Sequence, residues 1–145
     1  MKRKKTKYKG IWFFGYSGTG KSFVSRNIKN KIDKSIIIDG DQVRKYISFD
    51  LGYSLNEREI QIRRVFGILS LALKSKLFPI VSTVYLNKQI ADKLHQKKIL
   101  VIKMSRKKKF FYKKKTYKEK KDVVGIHISI KNNFKYKKLF NNGDE

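Results

Sequence analysis

Cysteine is absent from this 145-residue chain, acidic residues are scarce, and no long apolar run occurs. Without cysteine there is no disulfide bond, no cysteine-ligated zinc and no thiol nucleophile. No apolar stretch approaches the roughly 20 residues of a membrane-spanning helix, and the lysine-rich start leads into a strand pattern rather than the apolar core of a signal peptide. We therefore expect a soluble, cytoplasmic protein with one buried core and no membrane association.

The shortage of acidic residues leaves a large positive charge. Eleven Asp and Glu oppose 37 Lys and Arg, giving a formal net charge of +26. Six of the first nine residues are basic, as are eleven of the nineteen residues in 103–121. A lysine-rich solvated surface and an anionic partner (nucleic acid, an acidic membrane or a phosphorylated substrate) both stay open as explanations. We predict a flexible basic tail at 1–9 and a single domain at 10–145.

A glycine-rich motif lies near the N-terminus. Gly15–Ser22 read GYSGTGKS, a complete G-x-x-x-x-G-K-[ST] pattern between the apolar run Ile11–Phe14 and a helical stretch. In this pattern backbone N–H groups point at a polyphosphate, Lys21 neutralises the β- and γ-phosphates, and Ser22 offers a hydroxyl to Mg²⁺. The sequence therefore predicts a nucleoside triphosphate site formed by Gly15, Tyr16, Ser17, Gly18, Thr19, Gly20, Lys21 and Ser22, with Ser22 as the metal ligand.

Apolar runs alternate with helical patterns along the first two-thirds of the chain. We predict strands at Gly10–Phe14, Ser35–Asp39, Phe78–Val84 and Ile99–Met104, and helices at Lys21–Asp33, Asp41–Ser48, Ser54 to about Lys76, and Asn87–Gln96. Ser54 and Glu57 fit a capping box. The alternation predicts an α/β fold, a P-loop NTPase with a parallel sheet between two helical layers, α/β/α. Beyond Ser105 only the run Val123–Ile130 is left open as an element.

Three segments follow predicted strands at their carboxyl ends, where ligands bind on a parallel sheet. These segments are Gly15–Ser22, Asp39–Asp41 and Thr83–Leu86, and we expect them to meet in space. Phosphoryl transfer to a hydroxyl needs a carboxylate beside that hydroxyl and a cation for the acceptor's phosphate. Asp39, Asp41 and Arg44, which lies about one helical turn beyond Asp41, could supply them, although a helix cap followed by a surface arginine would give the same pattern.

Two stretches resemble the adenylylsulfate (APS) kinase family. Residues 38–65 read IDGDQVRKYISFDLGYSLNEREIQIRRV, similar to the family's LDGDNVR…DLGFS…DREENIRR with no gap from Asp39 to Arg64. Gly15–Ser22 are similar to the family's loop GLSGSGKS. The resemblance covers residues 10–102 well. It implies a kinase that uses ATP and Mg²⁺ to phosphorylate the 3′-hydroxyl of APS, a nucleotide acceptor, and it leaves a homodimer open.

The resemblance also implies roles for single residues. Asp41 would be the base facing the acceptor hydroxyl, and Asp39 would help with Mg²⁺ or the ribose. Tyr53 would stand where the family has a base-stacking Phe, and Gln61 where it has Asn. We predict a catalytic set of Asp39, Asp41 and Lys21, and an acceptor-binding set of Asp39, Asp41, Arg44, Tyr53, Arg58, Gln61, Val84 and Lys113, in which the two arginines would clamp the phosphosulfate. Independently of the family, Arg58 and Gln61 share one helix face.

The C-terminal third resembles the family less closely. FFYKKKTYKEKKDVVGI is similar to the family's lid, so we predict a lid-like segment at about 105–126 that includes Lys113. Val84–Lys88 read VYLNK where the family has ISPYR, the helix before the lid is missing, and Val123 replaces the lid's aromatic residue. His127 and Ile128 replace two aspartates. APS, another nucleotide-linked ester and a degenerate ATP-binding paralogue therefore stay open.

A non-enzymatic alternative is a basic P-loop protein that binds nucleic acid. Phe110, Phe111, Tyr112 and Tyr117 are interleaved with lysines and could stack on bases. No standard nucleic-acid-binding signature accompanies them, however, and the acidic pair and the two arginines would then have no purpose. We therefore do not expect nucleic acid to be the partner.

Overall fold

A computed structural model describes residues 8–106 and 133–141. These ranges contain the strands β1 (Gly10–Phe14), β2 (Ser35–Asp39), β3 (Phe78–Thr83), β4 (Ile99–Arg106) and β5 (Lys137–Asn141). They also contain the helices α1 (Lys21–Lys29), α2 (Gly40–Tyr46), α3 (Leu55–Lys74) and α4 (Lys88–Gln96). Among the described residues, no helix is both long and apolar enough to cross a membrane.

The strands form one parallel sheet in the order β2-β3-β1-β4-β5. Side chains of the central strand alternate between the two faces, as a pleated strand requires. Ile11 and Phe13 pack on the α1 side, whereas Trp12 and Phe14 join the core beneath α3 and α4. The predicted α/β/α arrangement is confirmed, and it brings the carboxyl ends of β1, β2 and β3 to one edge.

The first helix is shorter than predicted, because α1 ends at Lys29 rather than Asp33. Lys34 adopts a left-handed conformation with φ 56°, and the hydroxyl of Ser35 donates to the carbonyl of Ile32 at 2.7 Å. This turn redirects the chain so that Ser35 pairs with Phe78 in the sheet. Local turn contacts therefore outweigh the helical pattern of residues 30–33.

The last described strand, β5, was not predicted. It lies at the edge of the sheet and exposes Phe140 by 58%, so no alternation of buried and exposed residues marks it. Just before it, Phe134 and Tyr136 pack on Phe14, with ring centroids 5.5 Å from that ring. Pairing with β5 also carries β4 on to Arg106, two residues beyond the predicted end. The open run Val123–Ile130 and residues 1–7 of the predicted tail lie outside the described residues.

Candidate functional site

A pocket of about 590 Å³ opens at the carboxyl edge of the sheet. Its walls come from the loop after β1, the junction of β2 and α2, the start of α3 and the end of β3. The three segments that were expected to meet therefore do meet. Of the eight residues predicted to bind the triphosphate, five line this pocket: Ser17, Gly18, Gly20, Lys21 and Ser22.

The other three residues of the motif, Gly15, Tyr16 and Thr19, contribute to the backbone conformation of the loop, as does Gly20. Gly15 has φ 143°, and a side chain there would collide with the carbonyl oxygen of Met104. The hydroxyl of Thr19 is buried and donates to the carbonyl of Tyr16 at 2.9 Å. Gly20, at φ 97°, is the left-handed N-cap of α1. The backbone conformation thus depends on glycine where the strand turns into the helix, which is the geometry that presents N–H groups to phosphate.

Lys21 lies in the first turn of α1 and is partly buried. Its ammonium group donates to the carbonyl oxygens of Gly15 at 2.6 Å and Tyr16 at 2.9 Å. Burial lowers the pKa of Lys21 to about 8, while the charges of Asp41 and Asp39 oppose that shift. Burial partly desolvates the ammonium group and so destabilises its charged form. A bound phosphate would therefore stabilise this ammonium more than it would stabilise a fully solvated lysine.

Two carboxylates face the phosphate loop across the pocket. Asp39 ends β2 and precedes α2, and its Oδ1 accepts a hydrogen bond from the hydroxyl of Ser82 at 3.3 Å. Burial and the nearby Asp41 raise the pKa of Asp39, although the Ser82 bond acts in the opposite direction. The side chain of Asp39 makes no capping bond to α2, and Asp41 is exposed in the first helical turn. Both carboxylates line the pocket.

Two arginines converge on one aromatic ring in the other half of the pocket. The guanidinium carbons of Arg44 and Arg58 lie 4.3 Å and 5.4 Å from the centre of the Tyr53 ring. Arg44 donates to the carbonyl of Gly52 at 3.0 Å, and Arg58 donates to that of Tyr53 at 2.9 Å. Arg58 is only 3% exposed, and burial and Arg44 lower its pKa. Arg58 is therefore a buried residue of the pocket and not a solvent-exposed arginine on the surface of the helix.

Gln61 is 4% exposed and adjoins the pocket. Its amide nitrogen donates to the carbonyl of Gly40 at 3.2 Å. Because a carbonyl can only accept, this bond fixes which end of the amide is oxygen. Oε1 is left buried without a hydrogen-bond partner among the described residues. A buried orphan acceptor is costly, so a bound molecule with a donor at this point would stabilise the site.

A sequence model of the adenylylsulphate kinase family matches residues 7–133. The chain belongs to this family. Among curated relatives, the adenylyl-sulfate kinase of Shewanella amazonensis is 31% identical over 134 residues, which cover 80% of this chain and 67% of that protein. The bifunctional enzyme CysN/CysC of Mycobacterium tuberculosis is 33% identical over 94 residues, which cover 60% of this chain and 15% of that protein.

A solved structure of the APS kinase CysC from Mycobacterium tuberculosis, in complex with AMPPNP and APS, has the same fold. It superposes with a TM-score of 0.64 at 20% identity, and the match covers 97% of this chain and 91% of that one. The predicted P-loop NTPase class and the resemblance to APS kinases are thus confirmed. Members of the adenylylsulphate kinase family are phosphotransferases with an alcohol acceptor.

One wall of the pocket differs from the family's pattern. Val84 lines it, and the neighbouring Tyr85 is buried there as well. The hydroxyl of Tyr85 donates to Glu59 at 3.3 Å, and burial together with Glu59 raises the pKa of Tyr85 to about 12. The phenol therefore stays neutral at physiological pH and forms part of the pocket wall.

Sequence reasoning missed some pocket residues. Phe23, Arg26 and Ser82 line the pocket, although no role was predicted for them. Phe23 directly follows the phosphate loop on α1, and Ser82 precedes the strand end at Thr83, so proximity to the motif was the signal for both. Lys113 and the rest of the predicted lid-like segment from residue 107 onward lie outside the described residues, so their role stays a prediction.

Proposed function

We propose that this chain is an ATP-dependent kinase that phosphorylates the ribose 3′-hydroxyl of a nucleoside 5′-phosphate derivative, with APS as the first candidate. One observation carries the proposal: a single pocket joins a phosphate loop, the carboxylates of Asp39 and Asp41, and the guanidinium groups of Arg44 and Arg58. Phosphoryl transfer requires these groups together, and a nucleotide-binding protein without transfer needs only the loop. Family membership supports the same reaction class.

The residues present fit ATP and Mg²⁺. Left-handed glycines open the loop toward a polyphosphate, and Lys21 supplies the counter-charge. The hydroxyl of Ser22 and the carboxylates of Asp39 and Asp41 are oxygen ligands of the kind that Mg²⁺ prefers. When bound, the ion would neutralise charge between the β- and γ-phosphates.

The acidic pair would handle the acceptor proton. Asp41 is exposed to the pocket and would accept the proton of the 3′-hydroxyl as that oxygen attacks the γ-phosphorus. The new bond joins the acceptor oxygen to phosphorus, the bond to the β–γ bridging oxygen breaks, and ADP leaves. Asp39, whose pKa is raised, would orient the ribose or the metal ion beside it. Lys21 would stabilise negative charge on the transferred group.

The acceptor half would select a nucleotide with an anionic group. Arg44 and Arg58 would clamp a phosphate or phosphosulfate, and Tyr53, which is 52% exposed, offers a ring on which a base can stack. The orphan Oε1 of Gln61 would accept a hydrogen bond from an exocyclic amine or a hydroxyl of the acceptor. Because Tyr85 lines the pocket at a position where the sequence departs from the family's pattern, a nucleotide-linked ester other than APS is the alternative acceptor.

A substrate panel tests the proposal. The chain is incubated with Mg-ATP and with APS or CDP- and UDP-linked esters, ADP release is followed, and the product is located by ³¹P NMR. We expect turnover with APS well above the others and phosphorus on the 3′-oxygen. An identically purified Lys21→Ala variant gives the background from contaminating kinases. Mg-ATP binding without turnover of any acceptor would contradict the proposal and favour a degenerate paralogue.

We also propose that the protein acts in the cytoplasm on soluble nucleotides, where ATP is available. The homodimer that the resemblance left open stays a prediction. Light scattering coupled to size-exclusion chromatography would decide it, since a 17.2 kDa monomer and a dimer of twice that mass are easily separated. A monomer that turns over the acceptor would show that a second copy is not needed.

A further inference from the structure

The loop between α2 and α3, residues 47–54, carries Tyr53 and is held by side chains of α3. Glu57 accepts a hydrogen bond from the N–H of Gly52 at 2.8 Å and one from the hydroxyl of Ser54 at 2.9 Å. Arg58 donates to the carbonyl of Tyr53 at 2.9 Å. The last part of the loop is therefore fixed from the first turn of the helix, right beside the pocket.

A third side chain reaches the loop from farther along α3. Arg64 makes a two-pronged ion pair with Asp50, at 2.8 Å to Oδ1 and 3.1 Å to Oδ2. The same guanidinium donates to the hydroxyl of Ser48 at 3.2 Å. Ser48 is fully buried and its N–H bonds to the carbonyl of Val43 at 2.8 Å. Arg64 thus ties the middle of the loop to both helices, yet it is not among the pocket-lining residues.

We propose that Asp50 and Arg64 are positioning residues for the acceptor, an inference that rests on the proposed function. Their ion pair sets the path of the loop, so that the carbonyls of Gly52 and Tyr53 accept hydrogen bonds from Arg44 and Arg58. With the loop fixed, Arg44 and Arg58 lie against the Tyr53 ring before any acceptor arrives. The pair touches no substrate and acts only through these three groups.

The exposure of the pair argues that its effect lies in positioning rather than in stability. The Arg64 and Asp50 side chains are 35% and 55% exposed, and exposed ion pairs contribute little to folding. A planar two-pronged arginine pair does, however, restrict geometry. Because small displacements of binding groups are costly to substrate positioning, the loss should be seen in the KM of the acceptor.

A double-mutant cycle tests the pair, using Asp50→Ala, Arg64→Ala and the double variant in the full chain. We expect the KM of the acceptor to rise about tenfold in each single variant, with little change in the KM of Mg-ATP or in the melting temperature. The double variant should be no worse than Arg64→Ala, because the interaction with Asp50 is already lost in that single variant. Additive effects, or an unchanged acceptor KM, would overturn the proposal.

A second measurement is independent of activity. Hydrogen exchange of the loop amides, read at Leu51 and Gly52, should be faster in Arg64→Ala than in the parent protein. The matched control is Asp92→Ala, which breaks the exposed Lys88–Asp92 pair at 2.9 Å on α4 and should change neither the exchange of this loop nor the acceptor KM. Unchanged exchange in Arg64→Ala would overturn the proposal.

The two proposals fail in different ways. If the proposed function is wrong, the parent chain itself turns over no acceptor, and loop exchange alone then decides whether Arg64 holds the loop. If only the positioning role is wrong, the parent chain is active and the variants keep its acceptor KM. Should Arg64→Ala not fold, Asp50→Asn removes the charge of the pair while keeping the side-chain shape, and Mg-ATP binding checks that this variant is folded.

Discussion

The two halves of the pocket are built in different ways. The phosphate loop gets its shape from backbone torsions, with Gly15 and Gly20 at positive φ, and Thr19 and Lys21 donate side-chain hydrogen bonds to carbonyl oxygens of the loop itself. The half of the pocket that we propose for the acceptor is built from side chains of α2 and α3, such as Arg58 and Gln61, which are almost completely buried. A backbone site of the first kind depends on a few glycines, whereas the second kind depends on several specific contacts.

This difference explains where the chain keeps its family's pattern and where it departs from it. The charged oxygens of a triphosphate are the same whatever the acceptor is, so the residues of the phosphate loop have to fit only one kind of ligand. The wall proposed for the acceptor must match one particular molecule, and there Tyr85 stands in place of the family's residue. A side-chain site can therefore change its preference by substitution while the phosphate loop stays intact.

The largest effect is expected from removing Lys21, the one charged side chain of the phosphate loop. Lys21→Ala should lower turnover on the order of 10³-fold or more, because the ammonium stabilises charge on the β- and γ-phosphates. Mg-ATP binding, followed by titration calorimetry, should fall below detection. Lys31→Ala, at an exposed lysine just beyond the end of α1, is the control and should change nothing. Near-normal nucleotide affinity in Lys21→Ala would remove the phosphate-loop assignment.

The next largest effect is expected at Asp41, between the two halves of the pocket, where a substitution should change the rate of phosphoryl transfer and not the binding of ATP. Asp41→Asn keeps the side-chain shape but removes its capacity as a base, so kcat should fall by about 10²-fold while the affinity for Mg-ATP changes little. Initial rates at saturating acceptor measure the change. Asp33→Asn, at an exposed aspartate beyond α1, serves as the matched control. If kcat were unchanged, Asp41 would be no more than part of the helix start.

The fold could be predicted from the sequence where burial is strong. The strands of a parallel sheet are buried on both faces and read as short apolar runs, so β1 and β2 were predicted with the bounds they have. The capping box of Ser54 and Glu57 is a local pattern, and the structure contains it. β5 could not be predicted because it is an edge strand with exposed Leu139 and Phe140, and only its pairing with β4 defines it.

The candidate site could be predicted in part. The carboxyl ends of parallel strands share an edge, so the meeting of the phosphate loop with Asp39 and Asp41 follows from topology. The bond between Tyr85 and Glu59 and the ion pair between Asp50 and Arg64 join residues 26 and 14 positions apart. Such contacts depend on how helices and loops pack against each other, and the spacing of apolar residues along the sequence does not specify that packing.

A third prediction concerns Tyr53, in the half of the pocket that is built from side chains. Tyr53→Ala should raise the KM of the acceptor by roughly 10- to 100-fold, the range expected for the loss of one stacked base, and leave Mg-ATP binding unchanged. Tyr46→Ala is the matched control, since Tyr46 is also an exposed tyrosine beside a cation but lies outside the pocket-lining residues. Equal effects of the two substitutions would contradict the stacking role.

A fourth prediction uses pH to sharpen the comparison, since Lys21 is the one lysine among the described residues that line the pocket. Burial lowers the pKa of Lys21 to about 8, and ATP binds best to the protonated form. Affinity should be full below pH 8 and fall toward tenfold per pH unit above it, as measured by calorimetry from pH 6.5 to 9.5. Lys21→Arg stays protonated throughout this range and should lose the pH dependence. Constant affinity up to pH 9.5 in the parent chain would contradict the assignment.

The smallest effect tests whether the acceptor loop depends on its helix cap. Ser54→Ala removes the side chain that accepts from the N–H of Glu57 at 3.2 Å, and the free energy of unfolding should fall by about 1 kcal/mol in urea melts. The acceptor KM should move by less than about threefold, because Glu57 still accepts from the N–H of Gly52 and a single cap is a weak contribution. Ser70→Ala, the same change in the middle of α3 where the hydroxyl bonds the carbonyl of Phe66, is the control and should be near neutral. A large rise in acceptor KM for Ser54→Ala would show that the cap, rather than the arginine contacts, sets the path of the loop.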